Sequence, residues 1–210
     1  TVQRQRITDD IFSTRAWEDV QLGDPCSITI QTLAPQTIAT QTLLGDFCLP
    51  SPLIEIIDAI TEYARESFPP ARPILDALGE YNARIHNDFK YAPGATCVET
   101  PLRDAWEQRM GVCQDFAHIA IAGLRGLGLP AAYISGYILT SPAIGAITRT
   151  GADASHAWFA VWVPDTGWVQ FDPTNCMRVN DEHVMIAIGR DYSDVPPVKG
   201  VCYGGGAQEL

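Results

Sequence analysis

Helical periodicity early in the chain and two-residue alternation later predict an α+β fold, with an antiparallel sheet packed on a helical layer. Three observations carry this. Between residues 51 and 111 apolar residues recur at spacings of three and four, broken by proline and glycine. The stretch "GVCQDFAHIAIAGLRGLG" is apolar around most of a helix, which predicts a central, buried helix from 113 to about 125. Beyond it, "AAYISGYILT", "HAWFAVWV", "GWVQFDP" and "HVMIAIG" read as strands separated by turn chemistry.

Taken in order, residues 1–48 hold short β-branched runs such as "CSITIQT" and "TIATQTLLG", which predict a short β-rich N-terminal region ahead of a core spanning 49–210. A first helix is expected from "SPLIEIIDAITEYA". Ser51 suits an N-cap, Pro52 the first helical position, and Leu53, Ile56, Ile57 and Ile60 one face. A second carries the stripe Ile74, Leu78, Tyr81, Ile85 and Phe89. A short third helix, "TPLRDAWEQRMG", is opened by Thr100 and Pro101 and ended by Gly111. In the central helix Phe116, Ala117, Ile119, Ala120, Ile121 and Leu124 face nearly every direction, and Gly126, Gly128 and Pro130 end it.

With 210 residues, 46% of them hydrophobic, the chain can bury one good core. Its 14 basic and 25 acidic residues give a formal charge of -11, which repels polyanions and argues against nucleic acid or an anionic membrane as partner. The apolar run "AAYISGYILTSPAIGAI" is too interrupted and too short to span a bilayer. Six dispersed cysteines without a C-x-x-C pair, and no signal-peptide pattern at the start, predict reduced thiols in a cytoplasmic protein.

Cys113 is expected in the first turn of the buried helix, where unpaired N–H groups and the helix dipole favour an anion. The same groups can donate to an oxyanion. A cysteine beside an apolar helix is also what a packed thiol looks like, so a base is needed to separate the two readings. Four histidines are available. His118 is five residues on along the same helix and reads as structural. His86 reads as a solvated or capping residue, and His183 opens a late strand with nothing chemical beside it in sequence. His156 heads "HAWFAVWV", while the next strand carries Asp172 just before a proline, in apolar company.

A buried carboxylate needs a partner. If Asp172 accepts one imidazole N–H, the other ring nitrogen is left to face the thiol. Opposed residues in an antiparallel pair share a face, so the connection must have an odd number of residues. A three-residue "PDT" turn would set Val163 opposite Gly167, and Asp172 opposite Trp158 and diagonal to His156.

The blocks "GVCQDFAHIAIAGLRGLGLPAAYISGY", "ASHAWFAVWVPDTGWVQFDPT" and "GRDYSDVPPVKG" resemble, in this order, those of the bacterial transglutaminase-like superfamily, often described as candidate cysteine proteases. The resemblance covers roughly residues 49–208. It implies a papain-like α+β core and a Cys-His-Asp triad carried by Cys113, His156 and Asp172.

Among neighbouring residues, Trp158 and Gln114 are candidates for lining a substrate cleft. The alternative for Trp158 is packing, and for Gln114 support of the helix start. "GRDYSDVPPVKG" is expected to form a loop bordering the cleft, with Arg190 and Asp191 in structural ion pairs. A zinc site from Cys113, His118, His156 and Cys176 matches no standard spacing, and no EF-hand loop occurs, so neither metal nor cofactor is expected.

The activity expected is acyl transfer through a Cys113 thioester on a peptide or protein substrate, cleaving peptide, isopeptide or carboxamide bonds. An amine acceptor would make the protein a transamidase. A binding or scaffold module on the same fold would need none of the three groups.

Overall fold

The computed structural model describes residues 15–21, 44–139, 149–151, 155–164 and 166–196. The β-branched runs expected to form an N-terminal β region lie almost wholly outside the described residues. Within that region, Trp17–Val20 and Asp46–Cys48 form single 3-10 turns. Trp17 and Val20 are buried in the same hydrophobic core as the helices that follow.

Among the described residues the long strands are preceded by the helices α1 (Asp58–Arg65), α2 (Ile74–Asp88), α3 (Leu102–Gln108) and α4 (Cys113–Gly126). Two short strands, β1 (Lys90–Tyr91) and β2 (Met110–Gly111), pair in parallel among them. The strands β3 (Ala131–Ile138), β4 (His156–Val163), β5 (Gly167–Asp172), β6 (Met177–Arg178) and β7 (His183–Gly189) form an antiparallel sheet in the order β6-β5-β4-β3-β7. The expected fold class, mixed helix and antiparallel sheet, is the one found. Among the described residues no helix is long and apolar enough to cross a membrane.

Packing follows the predicted stripes. Ile74, Leu78, Tyr81, Ile85 and Phe89 are all buried, as are the six apolar residues named on α4. One sheet face, including Tyr133, Ala157, Phe159, Val161, Val169 and Phe171, joins α4 in the main core. Ala132, Ile134, Trp158 and Ala160 form a smaller cluster on the opposite side of the pleat, covered by Phe47, Trp168 and Val179.

Two helix boundaries differ from the sequence reading, each for a tertiary reason. The first helix begins at Asp58 rather than after Ser51. Ser51 and Ile54 exchange backbone hydrogen bonds of 2.9 and 3.0 Å, and the Leu53 N–H donates to Asp191 at 2.8 Å. These bonds hold the segment extended and leave Ile56 exposed. The third helix ends at Arg109, which takes a left-handed conformation (φ 53°). Its guanidinium lies 3.6 Å from the Trp106 ring centroid, a cation–π contact that offsets the backbone cost. Gly111 is required by space instead, since a Cβ there would come within 2.8 Å of the Asp115 side chain.

Arg125, near the end of α4, is buried and explains much of "GRDYSDV". It donates to the carbonyls of Phe47 (3.0 Å), Leu49 (3.0 Å), Ala131 (2.9 Å) and Arg190 (2.6 Å) and to Ser51 Oγ (3.1 Å). Burial pulls its pKa down to about 10, against the pull of Asp191, so it stays charged at neutral pH. Arg190 forms the expected ion pair, with Asp194 at 2.9 Å. Asp191 works differently, accepting from the Ser193 N–H (2.8 Å) and hydroxyl (2.6 Å) as well as from Leu53.

Replacing Arg125 with Ala strands several buried carbonyls at once. The variant is expected to lose about 3 kcal/mol or more in urea unfolding. Arg65→Ala, which removes only an exposed pair with Glu62, should lose less than about 0.5 kcal/mol.

Candidate active site

α4 opens at Cys113 behind Val112, whose backbone is extended (φ -116°, ψ -176°). Valine has no side-chain acceptor, so the cap comes from Asp115, whose Oδ2 accepts the Val112 N–H at 2.8 Å and the Thr96 hydroxyl at 2.6 Å. Burial pushes the Asp115 carboxyl up, and these bonds oppose it. The first turn is thereby fixed. The N–H groups of Cys113 and Gln114 have no partner within the helix and sit at its positive end. Cys113 itself is half-buried. The Gln114 amide donates to the Val98 carbonyl at 3.4 Å, tying the 97–100 loop to the helix head.

The β4–β5 register is the one that the three-residue turn requires. Val163 pairs with Gly167 and Phe159 with Phe171, which sets Asp172 across from Trp158 and diagonal to His156. The two side chains meet: His156 Nε2 lies 2.8 Å from Asp172 Oδ2, and both side chains are fully buried. An ionised carboxylate only accepts, so Nε2 carries the hydrogen. The remaining nitrogen, Nδ1, is buried without a hydrogen-bond partner among the described residues. The Cys113 thiol lies near enough for its charge to act on this ring, and Nδ1 is the nitrogen left unbonded. Burial alone would lower the His156 pKa, but the bond to Asp172 and the charges of Asp172 and Cys113 prevail and raise it to about 9.

Asp172 is the most heavily bonded side chain of the site. Oδ1 accepts the backbone N–H groups of Thr174 (2.9 Å) and Asn175 (3.2 Å). Oδ2 accepts from His156, from the Asn175 amide (2.8 Å) and from His183 Nε2 (3.2 Å). Burial pushes this carboxyl up, but the bonds from His156, His183 and Asn175 hold it well below the usual carboxylate range.

Two of these partners, Asn175 and His183, carry no local sequence signal. His86, read as solvated or capping, reaches from α2 to the turn after Asp172, where Nδ1 donates to the carbonyls of Pro173 (3.2 Å) and Thr174 (3.0 Å). The Asn175 amide also binds Thr150 through its N–H (2.9 Å) and carbonyl (3.2 Å). This brings Gly151 (φ 82°) over the imidazole, so close that a Cβ would stand 2.8 Å from His156 Nδ1. Only glycine suits that conformation and that approach.

His118 is structural, as its position on the helix suggested. Burial lowers its pKa to about 4, and the neutral ring accepts the Tyr192 N–H at 3.3 Å. Trp158 requires a correction, because it is 0% exposed and cannot line a cleft. Its ring lies 5.8 Å from that of His156 and 5.2 Å from that of His183, while its Nε1–H donates to Gln170 at 2.8 Å. It supports the imidazoles from beneath.

The grouping of His156, Asp172 and His183, with ligand-type atoms all within 4.8 Å of one another, has the donor chemistry of a divalent transition-metal site. Coordination would require both Nε2 atoms to give up the hydrogens they donate to Asp172.

A family model described as the transglutaminase-like superfamily matches residues 57–173, and the chain belongs to that superfamily. It is 43% identical over 166 residues to Rv2569c, an uncharacterized protein of Mycobacterium tuberculosis, covering 77% of this chain and 53% of that one. It is 30% identical over 122 residues to a Pseudomonas aeruginosa protein-glutamine gamma-glutamyltransferase, covering 50% of this chain and 18% of that one. The crystal structure of a candidate cysteine protease from Cytophaga hutchinsonii superposes with a TM-score of 0.60 and 29% identity, covering 78% of this chain and 50% of that one. The chain thus spans about half the length of curated relatives that it matches.

The titrations have opposite signs. Folding raises His156 from 6.5 to about 9, so its stabilisation is complete below pH 6.5 and lost as pH rises through 9. Folding lowers Asp172 from 3.8, so its stabilisation is present above pH 3.8 and lost as pH falls through the folded value. The stability gap between wild type and His156→Gln should therefore narrow as pH is raised from 6.5 through 9. Thermal unfolding across that range measures it, and a gap independent of pH contradicts the buried pair.

Proposed function

We propose that this protein is a thiol-dependent acyl-transfer enzyme that cleaves peptide, isopeptide or carboxamide bonds through a thioester on Cys113. One observation carries the reading. A half-buried thiol at the head of a helix lies near an imidazole that has one nitrogen bound to a buried carboxylate and the other unpartnered. Cys113 gives its proton to His156 Nδ1, and the imidazolium and the helix dipole stabilise the thiolate. The sulfur attacks the carbonyl carbon. The negative oxygen that forms takes hydrogen bonds from first-turn N–H groups, foremost that of Cys113. Collapse expels the amine, which leaves with the proton from Nδ1. Water then attacks the thioester, with His156 as base, and the acid and the thiol are released. Asp172 holds the ring by Nε2 throughout and stabilises its charged form.

A second reading, transfer to an amine in place of water, is favoured by the likeness to the Pseudomonas gamma-glutamyltransferase. The first half-reaction is the same. The cleft decides which acceptor reaches the thioester.

Iodoacetamide labelling with adduct mapping tests the nucleophile. Cys48 is buried, with its thiol pushed up to about 11 by that burial, whereas Cys97 and Cys176 are exposed. Cys113 is expected to label faster than either exposed thiol at pH 6–7, and His156→Ala should slow it by about tenfold or more. Peptide, isopeptide and glutamine-amide libraries, read for free ammonia and for new amines, identify the bond. Cys113→Ala should reduce turnover at least about a thousandfold. Turnover that survives in this variant excludes Cys113.

A further inference from the structure

Among the four histidines, His183 is the one whose place in the site no local sequence feature announces. It begins β7, at the far edge of the sheet from β5, yet its Nε2 lies 3.2 Å from Asp172 Oδ2 with its side chain fully buried. Two backbone features bring it there. Ser135 pairs with Ala187 but Gly136 with Met185, so β7 carries one extra residue, Ile186. That bulge inverts the parity of the first half of the strand. His183 then pairs with Ile138 and shares a side of the sheet with Gly136, His156 and Trp158. With unbroken register it would face the other way. Gly136 is the second feature: a Cβ there would stand 2.5 Å from Trp158 Cη2, so the indole occupies the space that a side chain would fill. The ring of His183 stands edge-on to that indole, with centroids 5.2 Å apart.

Asp172 accepts, so His183 Nε2 must carry a hydrogen and donate it. Its Nδ1 faces Asn180, whose N–H is 3.5 Å away and whose Oδ1 is 3.3 Å away. We propose that His183 is a positioning residue for the acyl-transfer site, a donor from β7 that fixes Asp172 Oδ2 so that the same oxygen can hold His156 Nε2 with Nδ1 turned to Cys113. The proposal rests on the reading of Cys113 and His156 given above. The oxygen is shared. His156 takes up and returns a proton at Nδ1 during turnover, whereas His183 Nδ1 faces Asn180 and stands outside that transfer, so the carboxylate keeps a second partner from another strand. The indole of Trp158, held by Gln170, keeps both rings at fixed angles.

Two measurements on the wild type and two variants test this. In ¹⁵N-histidine-labelled protein, His183 should show a protonated Nε2. The His156 Nε2–H should give a low-field proton resonance of the kind that carboxylate-bound imidazoles produce, absent in His156→Ala. His183→Phe keeps a ring against Trp158 but removes the donor. It is expected to broaden or abolish that resonance and to slow alkylation of Cys113 by iodoacetamide about tenfold, the loss of one charge-assisted hydrogen bond. His183→Gln, whose amide N–H can take the place of Nε2–H, should restore the resonance and bring the rate back to within about twofold of wild type. A resonance and a rate both unchanged in His183→Phe overturn the proposal, as does an unprotonated Nε2 at His183 in the wild type. The tautomer measurement decides even if the Phe variant does not fold. Should Cys113 label no faster than Cys97 in the wild type, the nucleophile reading fails, while the tautomer and the resonance still judge His183.

Discussion

The carboxylate of Asp172 is a negative charge without solvent, and the organisation of the sheet follows from satisfying it. An unpaired charge in such a place would be lost by protonation. Five donors prevent this, two of them backbone N–H groups of the turn that follows β5 and three of them side chains. The donors come from β4, from β7 and from the turn itself, and the turn is pinned by His86 from α2 and by Asn175 to Thr150. One charge therefore ties together the two ends of the sheet and a helix. The proton of His156 is placed as a consequence, because the carboxylate claims Nε2 and only Nδ1 remains.

A second charge does comparable work at the other end of α4. Arg125 gathers carbonyls from the segment before α1, from the start of β3 and from the stretch after β7. Asp191 answers it by binding the backbone of Leu53. The two knots bracket α4: one holds its C-terminal end to the chain around it, and the other fixes the imidazole near its N-terminal end. This gives "GRDYSDV" a mechanical purpose that its composition hid. Its described residues bind the C-terminal end of α4 and the segment before α1.

What was legible in the sequence was what depends on local pattern. The stripe on α2, the all-round burial of α4 and the four long strands follow from period alone, and the β4–β5 register follows from parity and a three-residue turn. What was hidden depends on partners distant in sequence. Ser51 and Pro52 make a good helix start in isolation, but Asp191 and Arg125 capture that backbone for other bonds. Arg109 ends α3 because an aromatic surface assembled from Phe89 and Trp106 receives its guanidinium. His183 was passed over because nothing chemical stands beside it in sequence, and the bulge in β7 that turns it to the side of Asp172 leaves no trace in the alternation of "HVMIAIG". Trp158 shares parity with the site, as expected, but parity does not tell which residues above it take up the solvent-facing space.

The sulfur and the imidazole are positioned by separate devices, and this shapes how the site tolerates change. Asp115, Thr96 and Gly111 fix the head of α4 without touching the sheet network, while Asp172 fixes His156 without touching the helix. The two halves share the core between α4 and the sheet, where Ala117 and Ala120 of the helix lie in one packed cluster with Ala131 and Ala157 of the strands. Small residues on both sides let the elements approach closely, and a packed interior transmits added volume as displacement rather than absorbing it. An added methylene at any of these alanines is therefore expected to displace α4 against the sheet, and with it Cys113 against His156.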